Sequence, residues 1–164
     1  MKEDIVVVTG DIFCPEHQKA MLYLLDLYMQ DPMGDFGQLT SELAGQLIDR
    51  LKMQPHYRLF LAQYKNKFAG FANCFEVFST FQAKPILNIH DFAVAPDFRR
   101  LGVGDALMKG IMDYARNHGF CKITLEVRQD NEAAQYLYRR NGFSECEHPM
   151  LFWENRINDP HESK

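Results

Sequence analysis

A chain of 164 residues, 46% of them hydrophobic, is long enough for one globular domain with a sizeable core. Its formal net charge of −4 comes without any Lys/Arg run, which argues against nucleic acid as a partner and suits a small cationic one. No uninterrupted apolar stretch reaches bilayer length and "MKEDIVVV" lacks a signal-peptide layout, so the expected location is the cytoplasm, with no membrane partner.

In chain order, "IVVVTG" reads as a first strand. Met21, Leu24, Leu25 and Tyr28 follow i, i+3, i+4, i+7 spacing, which predicts an amphipathic helix over Pro15–Gln30, ended by Pro32 and Gly34 in "DPMGD". Leu43, Leu47 and Leu51 mark a second, weaker helix that contains Gly45. "YRLFLAQY", a "KNK" turn and "FAGFANCFEVFSTF" read as a hairpin, and "ILNIHDFAV" as a third strand beside it. A helix follows over 104–118, with Met108, Ile111, Met112 and Ala115 on one face and Gly119 just past its end. "CKITLEV" alternates as a strand, and "NEAAQYLYRRNG" is a short helix with Asn131 as its N-cap and Asn141-Gly142 as its stop. "MLFWENRI" reads as a last strand before a polar tail over 158–164.

The order β-α-α-β-β-β-α-β-α-β predicts an α/β class with a mixed sheet and helices on both faces, in a single domain over 1–164. It is not a repeating βαβ array, which disfavours a Rossmann domain. Cys14, Cys74, Cys121 and Cys146 are scattered, with no C-x-x-C pair and no histidine at zinc spacing. They are expected to be reduced, mostly buried thiols, and no metal site is expected.

The most informative stretch is "VAPDFRRLGVGDALMKG". Arg99, Arg100, Gly102 and Gly104 stand where a strand gives way to a helix. A helix N-terminus offers free N–H groups and about half a positive charge, and glycines let a phosphate approach the backbone closely. The third position of a dinucleotide fingerprint is Leu107, and Gly104-Asp105-Ala106 departs from a P-loop. By itself R-x-x-G-x-G is either a phosphate site or a strand-to-helix turn with chance arginines. Further on, Asn131, Ala134 and Tyr138 form one stripe of the short helix: a polar cap, a small gap and a phenol.

The combination V-x-P-x-x-R-x-x-G-x-G, helix, strand, then N-x-x-A-x-x-L-Y-x-x-x-G-F closely resembles the GNAT superfamily of acetyl-CoA-dependent N-acetyltransferases over residues 86–143. The resemblance implies the acyl-CoA N-acyltransferase fold, whose central mixed sheet splays apart between two strands. It also implies acetyl-CoA as co-substrate and a homodimer. By the resemblance, the turn formed by Arg99, Arg100, Leu101, Gly102, Val103, Gly104 and Asp105 holds the CoA diphosphate. Phe92, Ala93 and Val94 pair with the pantetheine arm, with the Val94 N–H facing the thioester carbonyl. Asn131 bonds the arm from the other side, beside Ala134, and Tyr138 lies near the sulfur. Asp105 is the awkward member, since a carboxylate repels a diphosphate; the helix dipole and an outward rotamer are the expected remedies.

Acetyl transfer needs a deprotonated amine, a stabilised oxyanion and a proton for the departing thiolate. Tyr138 is the expected general acid; the plain alternative is that its ring only packs. "LNIHDFAV" is similar to the strand of diamine and polyamine acetyltransferases in which a Glu-Asp pair precedes the pantetheine-binding residues; here His90 replaces the glutamate and Asp91 matches. His90 can serve as the base, directly or through water, or as a structural histidine. Glu126 is a second candidate, or an ordinary half-buried sheet carboxylate. Strict alternation puts Asp91 on the face opposite His90, so coupling of the two requires a β-bulge. Tyr23, Tyr28, Asp31, Phe78, His90 and Asp91 are expected around the acceptor, because the family builds that wall from the first helices and the hairpin. The expected acceptor is a primary amine of a small molecule; a protein N-terminus or lysine is the alternative, and a non-catalytic acetyl-CoA-binding module is the alternative outside enzymes.

Overall fold

The computed structural model describes residues 4–34, 37–155 and 157. Among the described residues five strands form one sheet in the order β1-β2-β3-β4-β5: Ile5–Gly10, Tyr57–Tyr64, Lys67–Ser79, Lys84–Val94 and Lys122–Leu125. The first four pair antiparallel and β5 joins β4 in parallel, so the sheet is mixed as expected. The β2–β3 connection turns on Lys65 and Asn66, both left-handed, which suits the twist of a tight hairpin.

The two faces are covered by the α-helices α1 (Pro15–Gln30), α2 (Ser41–Lys52), α3 (Val103–Asn117) and α4 (Glu132–Arg140). On one side Met21, Leu24 and Leu25 of α1 and Ile48 and Leu51 of α2 pack on Leu59, Leu61 and Phe71. On the other, Val103, Leu107, Met108 and Ile111 of α3 and Tyr138 of α4 pack on Phe60, Ala72, Leu87 and Ile89. Complete burial of a Leu, Ile or Phe of this kind contributes about 1.5–3 kcal/mol. The helix limits follow local chemistry. Pro15 opens α1, Thr40 Oγ1 caps α2 by accepting the Leu43 N–H at 3.2 Å, and Asn131 Oδ1 caps α4 by accepting the Ala134 N–H at 3.1 Å.

Two features of β4 shape the site. It pairs with β5 only from Ile86↔Lys122 to Ile89↔Leu125; beyond that β4 runs on to Val94 while β5 has ended, and the sheet is split. On its other side, Asn73 pairs with Asp91 but Cys74 pairs with Ile89, so His90 is an extra residue. This is the β-bulge that coupling of His90 to Asp91 requires. Leu87 and Ile89 face the α3 side, and so do Phe92 and Val94, which means the alternation steps by one across His90 and Asp91.

Two expectations are corrected. "MLFWENRI" forms no strand over its described residues: Met150, Leu151, Phe152 and Trp153 are exposed and join no sheet. A strand exists through pairing, and β5, the nearest free edge in sequence, is four residues long; an unbroken apolar run does not supply the missing partner. The cysteines are reduced but not mostly buried: Cys74 is buried, Cys14 and Cys121 are half-buried and Cys146 is exposed. The tail expected over 158–164 lies outside the described residues.

Candidate active site

The split between β4 and β5 opens into a cleft of about 1180 Å³. One wall is β4 with His90, Phe92, Ala93 and Val94; the other is the end of β5 and the start of α4, with Leu125, Glu126, Asn131, Ala134 and Tyr138. Arg99, Arg100, Gly102, Gly104 and Asp105 line one part of it, and Tyr28 and Asp31, from the end of α1, another.

The glycine turn is built for close approach. Gly102 precedes α3 at φ 85°, a left-handed conformation that favours glycine, and has no side chain with which to cap the helix. The leading N–H groups of α3 therefore receive no side-chain cap and remain donors for an anion. A Cβ on Gly104 would come within 3.3 Å of Leu137 and 3.7 Å of Val94, so this glycine also brings the helix against both walls. Asp105 is neutralised where it stands: Arg140 Nε donates to its Oδ1 at 2.7 Å, Arg140 Nη2 to its Oδ2, and Asn141 Nδ2 to its Oδ1 at 2.9 Å. A neighbouring cation, not an outward rotamer, relieves the expected repulsion.

On β4, the Ala95 N–H donates back to Ala69 at 2.8 Å. Alternation along the strand then turns the Val94 N–H the other way, into the gap beyond β5. Arg99 Nε donates to the Val94 carbonyl at 3.1 Å, and its Nη2 donates to Asp31 Oδ2 at 2.9 Å. Burial opposes ionisation of Asp31, but the Met33 N–H and the Arg99 guanidinium outweigh it and hold the carboxyl below its ordinary range.

Tyr138 is buried, edge-on to Phe92 with ring centroids 6.0 Å apart. Burial pushes its phenol up to about 12, and the neighbouring Tyr28 adds to the effect. Asn131 spends its Oδ1 on the α4 cap, so its Nδ2 is the group left to donate into the cleft. His90 is exposed in the cleft and meets Phe75 edge-on at 5.8 Å. Asp91 does not line the cleft; it accepts from Asn73 Nδ2 at 2.9 Å, and Asn73 Oδ1 accepts from the Tyr57 hydroxyl at 2.7 Å. Glu126 is exposed just past β5 and lines the cleft, not half-buried within the sheet.

The structure thus brings most of the expected residues together and leaves some apart. Tyr23 and Phe78 are exposed, outside the cleft lining, Phe78 being near the β3–β4 turn; Leu101 and Val103 flank the turn without lining the cleft. Sequence reasoning missed Arg140, Arg128 and Tyr136, which line the cleft. Arg128 forks onto Asp130, and Arg140 lies over the Tyr136 ring. An i, i+4 spacing of Tyr136 and Arg140 was the available signal. Among the described residues no group of three or more His, Cys, Asp or Glu is arranged to hold a metal, and no helix is long and apolar enough to cross a membrane.

A split mixed sheet with an uncapped, glycine-led helix at the split defines the acetyltransferase class of fold. The chain belongs to the acetyltransferase (GNAT) family, whose model matches residues 21–143. It is 30% identical over 113 residues to the uncharacterized N-acetyltransferase YhfO of Bacillus subtilis (strain 168), covering 68% of this chain and 76% of that protein. It is 40% identical over 58 residues to the ribosomal protein bS18-alanine N-acetyltransferase of Escherichia coli (strain K12), covering 35% of this chain and 39% of that one. A solved aminoglycoside acetyltransferase from an uncultured soil metagenomic sample, in complex with sisomicin, shares the fold with a TM-score of 0.79 at 17% identity. That match covers 95% of this chain and 99% of the other. The protein is an acetyltransferase of this family.

Proposed function

We propose that the chain transfers the acetyl group of acetyl-CoA to a primary amine of a small molecule, directly, with both substrates bound at once. The observation that carries the reading is the cleft itself, with donor N–H groups at the α3 turn, the Val94 N–H in the gap and the buried Tyr138 phenol all along one wall system. The turn and Arg100 would hold the diphosphate, and the exposed edge of β4 with Asn131 Nδ2 the pantetheine arm. Acetyl-CoA supplies the activated acyl group.

The amine nitrogen attacks the thioester carbonyl carbon, forming the amide bond as the carbon–sulfur bond breaks. The Val94 N–H donates to the developing oxyanion. His90 takes the proton that the amine loses. Tyr138, protonated at every working pH, donates to the departing sulfur. Its raised pKa makes it a weak acid, but the same dry surroundings raise the basicity of the leaving thiolate and narrow the difference.

Asp31, with Tyr28, supplies an anionic place for a cationic acceptor at the end of α1. A small-molecule acceptor is supported by the sisomicin-bound structure with the same fold. A protein α-amine is the second reading, favoured by the likeness to the bS18-alanine enzyme. The cytoplasmic location and the homodimer belong to this proposal as well. The test is release of free thiol from acetyl-CoA across a panel of diamines, aminoglycosides and N-terminal peptides. Turnover confined to the peptides would replace the first reading with the second, and no release with any amine, despite CoA binding, would leave a binding module.

A further inference from the structure

Asp31, at the end of α1, and Arg99, in the glycine turn, form an ion pair at 2.9 Å, which on the reading above joins the acceptor's side of the cleft to the donor's. Both are anchored independently of each other. Asp31 Oδ1 accepts the Met33 N–H at 3.0 Å, and Arg99 Nε is fixed on the Val94 carbonyl at 3.1 Å. The guanidinium side chain is half open to solvent, and its remaining N–H groups are directed by these two bonds alone among the contacts described. The other paired cleft arginines, Arg140 and Arg128, meet carboxylates of the donor side, Asp105 and Asp130. Arg99 differs in meeting a carboxylate of the acceptor side.

We propose that the Arg99 guanidinium is shared between Asp31 and the diphosphate of the donor, so that a cationic acceptor and the anionic donor promote each other's binding through this one ion pair. An ammonium at Asp31 takes up the carboxylate's charge and leaves the guanidinium to the diphosphate; a diphosphate at Arg99 leaves the carboxylate to the ammonium. Linkage makes the two effects equal. The inference rests on the acetyl-CoA reading above.

The test is calorimetric titration of CoA into the wild type, Asp31→Asn, Arg99→Gln and the double variant, each with its melting temperature checked. Asparagine keeps an acceptor for the Met33 N–H; Asp31→Ser gives the same readout should Asp31→Asn melt early. Asp31→Asn tightens CoA about two- to fivefold, the worth of a partly exposed pair. Arg99→Gln weakens CoA, and in that background Asp31→Asn brings no gain. Weaker CoA binding by Asp31→Asn would make the carboxylate a strut for Arg99 and overturn the proposal. Unchanged binding would mean that Arg99 does not reach the diphosphate, and an equal gain in both backgrounds would mean direct repulsion from Asp31; either overturns it too. A wild type that binds no CoA would overturn the donor reading itself and this one with it, whereas CoA binding with the wrong pattern leaves the donor reading standing.

Discussion

Arg140, in the last turn of α4, grips both carboxylate oxygens of Asp105, in the first turn of α3, and so ties the glycine turn to the opposite wall of the cleft. The pair makes an acidic residue tolerable beside the expected diphosphate. Arg140→Leu leaves that charge uncompensated, and CoA affinity falls about two- to fivefold, the range for a half-exposed pair. Asp105→Asn in the same background restores it. Calorimetry of the single and double variants checks this; an affinity that the second substitution fails to restore would assign Arg140 its own contact with the donor.

Asn131 has two separable duties. Its Oδ1 caps α4, and its Nδ2 is proposed to donate to the pantetheine arm. Asn131→Asp keeps the cap, exchanges the donor for a charge and weakens CoA without loss of thermal stability. Asn131→Ala loses both, with about 1 kcal/mol of stability removed as well. Equal CoA affinity for Asn131→Asp and wild type would confine the residue to capping.

How much of this was written in the sequence depends on whether one segment or several define a feature. α1 was legible to the residue because its apolar spacing, Pro15 and Pro32 all act locally. The Asn131 cap and the Lys65-Asn66 turn are local too. The bulge at His90 was legible only as a requirement, since it is a mismatch between two strands and neither strand encodes it alone. The Asp105–Arg140 and Asp31–Arg99 pairs join positions far apart in the chain, and no spacing rule reaches them. The last strand failed for the same reason: "MLFW" has the composition of a strand and, among the described residues, no partner.

Tyr138→Phe removes a hydroxyl and leaves the Phe92 and Phe143 ring contacts. CoA affinity holds, and transfer slows by about 10²- to 10⁴-fold, the usual range for a lost general acid. Since burial pushes this phenol up to about 12, the wild-type rate shows no alkaline fall from Tyr138 near ~10, where an ordinary phenol ionises. Rapid-quench measurement of the chemical step distinguishes this from slow product release. Wild-type chemistry in Tyr138→Phe would reduce the residue to packing.

Alkaline stability follows from three buried groups. Burial, with Asp91 nearby, raises the Cys74 thiol; burial, with Cys74 and Asp91, raises the Tyr57 phenol; Tyr138 is raised as described. An unfolded chain releases such thiol protons near ~8.5 and phenol protons near ~10, while the folded chain holds them. Above those values the unfolded state binds fewer protons, so stability falls as pH rises; below ~8.5 both states are protonated and these groups impose no slope. Thermal melts from pH 7 to 11 should therefore be flat from this source at first and then decline in two stages. Cys74→Ala removes the earlier stage between ~8.5 and ~10, whatever it costs in overall stability. A decline unchanged in that variant would mean that the thiol ionises alike in both states.

Two exposed cleft residues are the candidates for the proposed base, His90 on β4 and Glu126 just past the neighbouring β5. The bulge favours His90: alternation from Ile89 turns the imidazole toward the face that carries Phe75, and the register shift brings Asp91, the end of the Tyr57–Asn73–Asp91 chain, to that same face, near the α1 side that Tyr28 and Asp31 also flank. Aliphatic amines lose their own proton only toward ~10, so activity well below that pH needs a base on the protein. His90→Gln accordingly loses most activity below that pH and keeps an activity that climbs with the acceptor's own ionisation, with CoA affinity unaltered. Glu126→Gln leaves the activity at lower pH in place. The converse pair of profiles, measured as kcat/KM against pH on one acceptor, transfers the role to Glu126. Profiles unaltered in both variants leave proton removal to water, with His90 held on the bulge as a structural residue against Phe75.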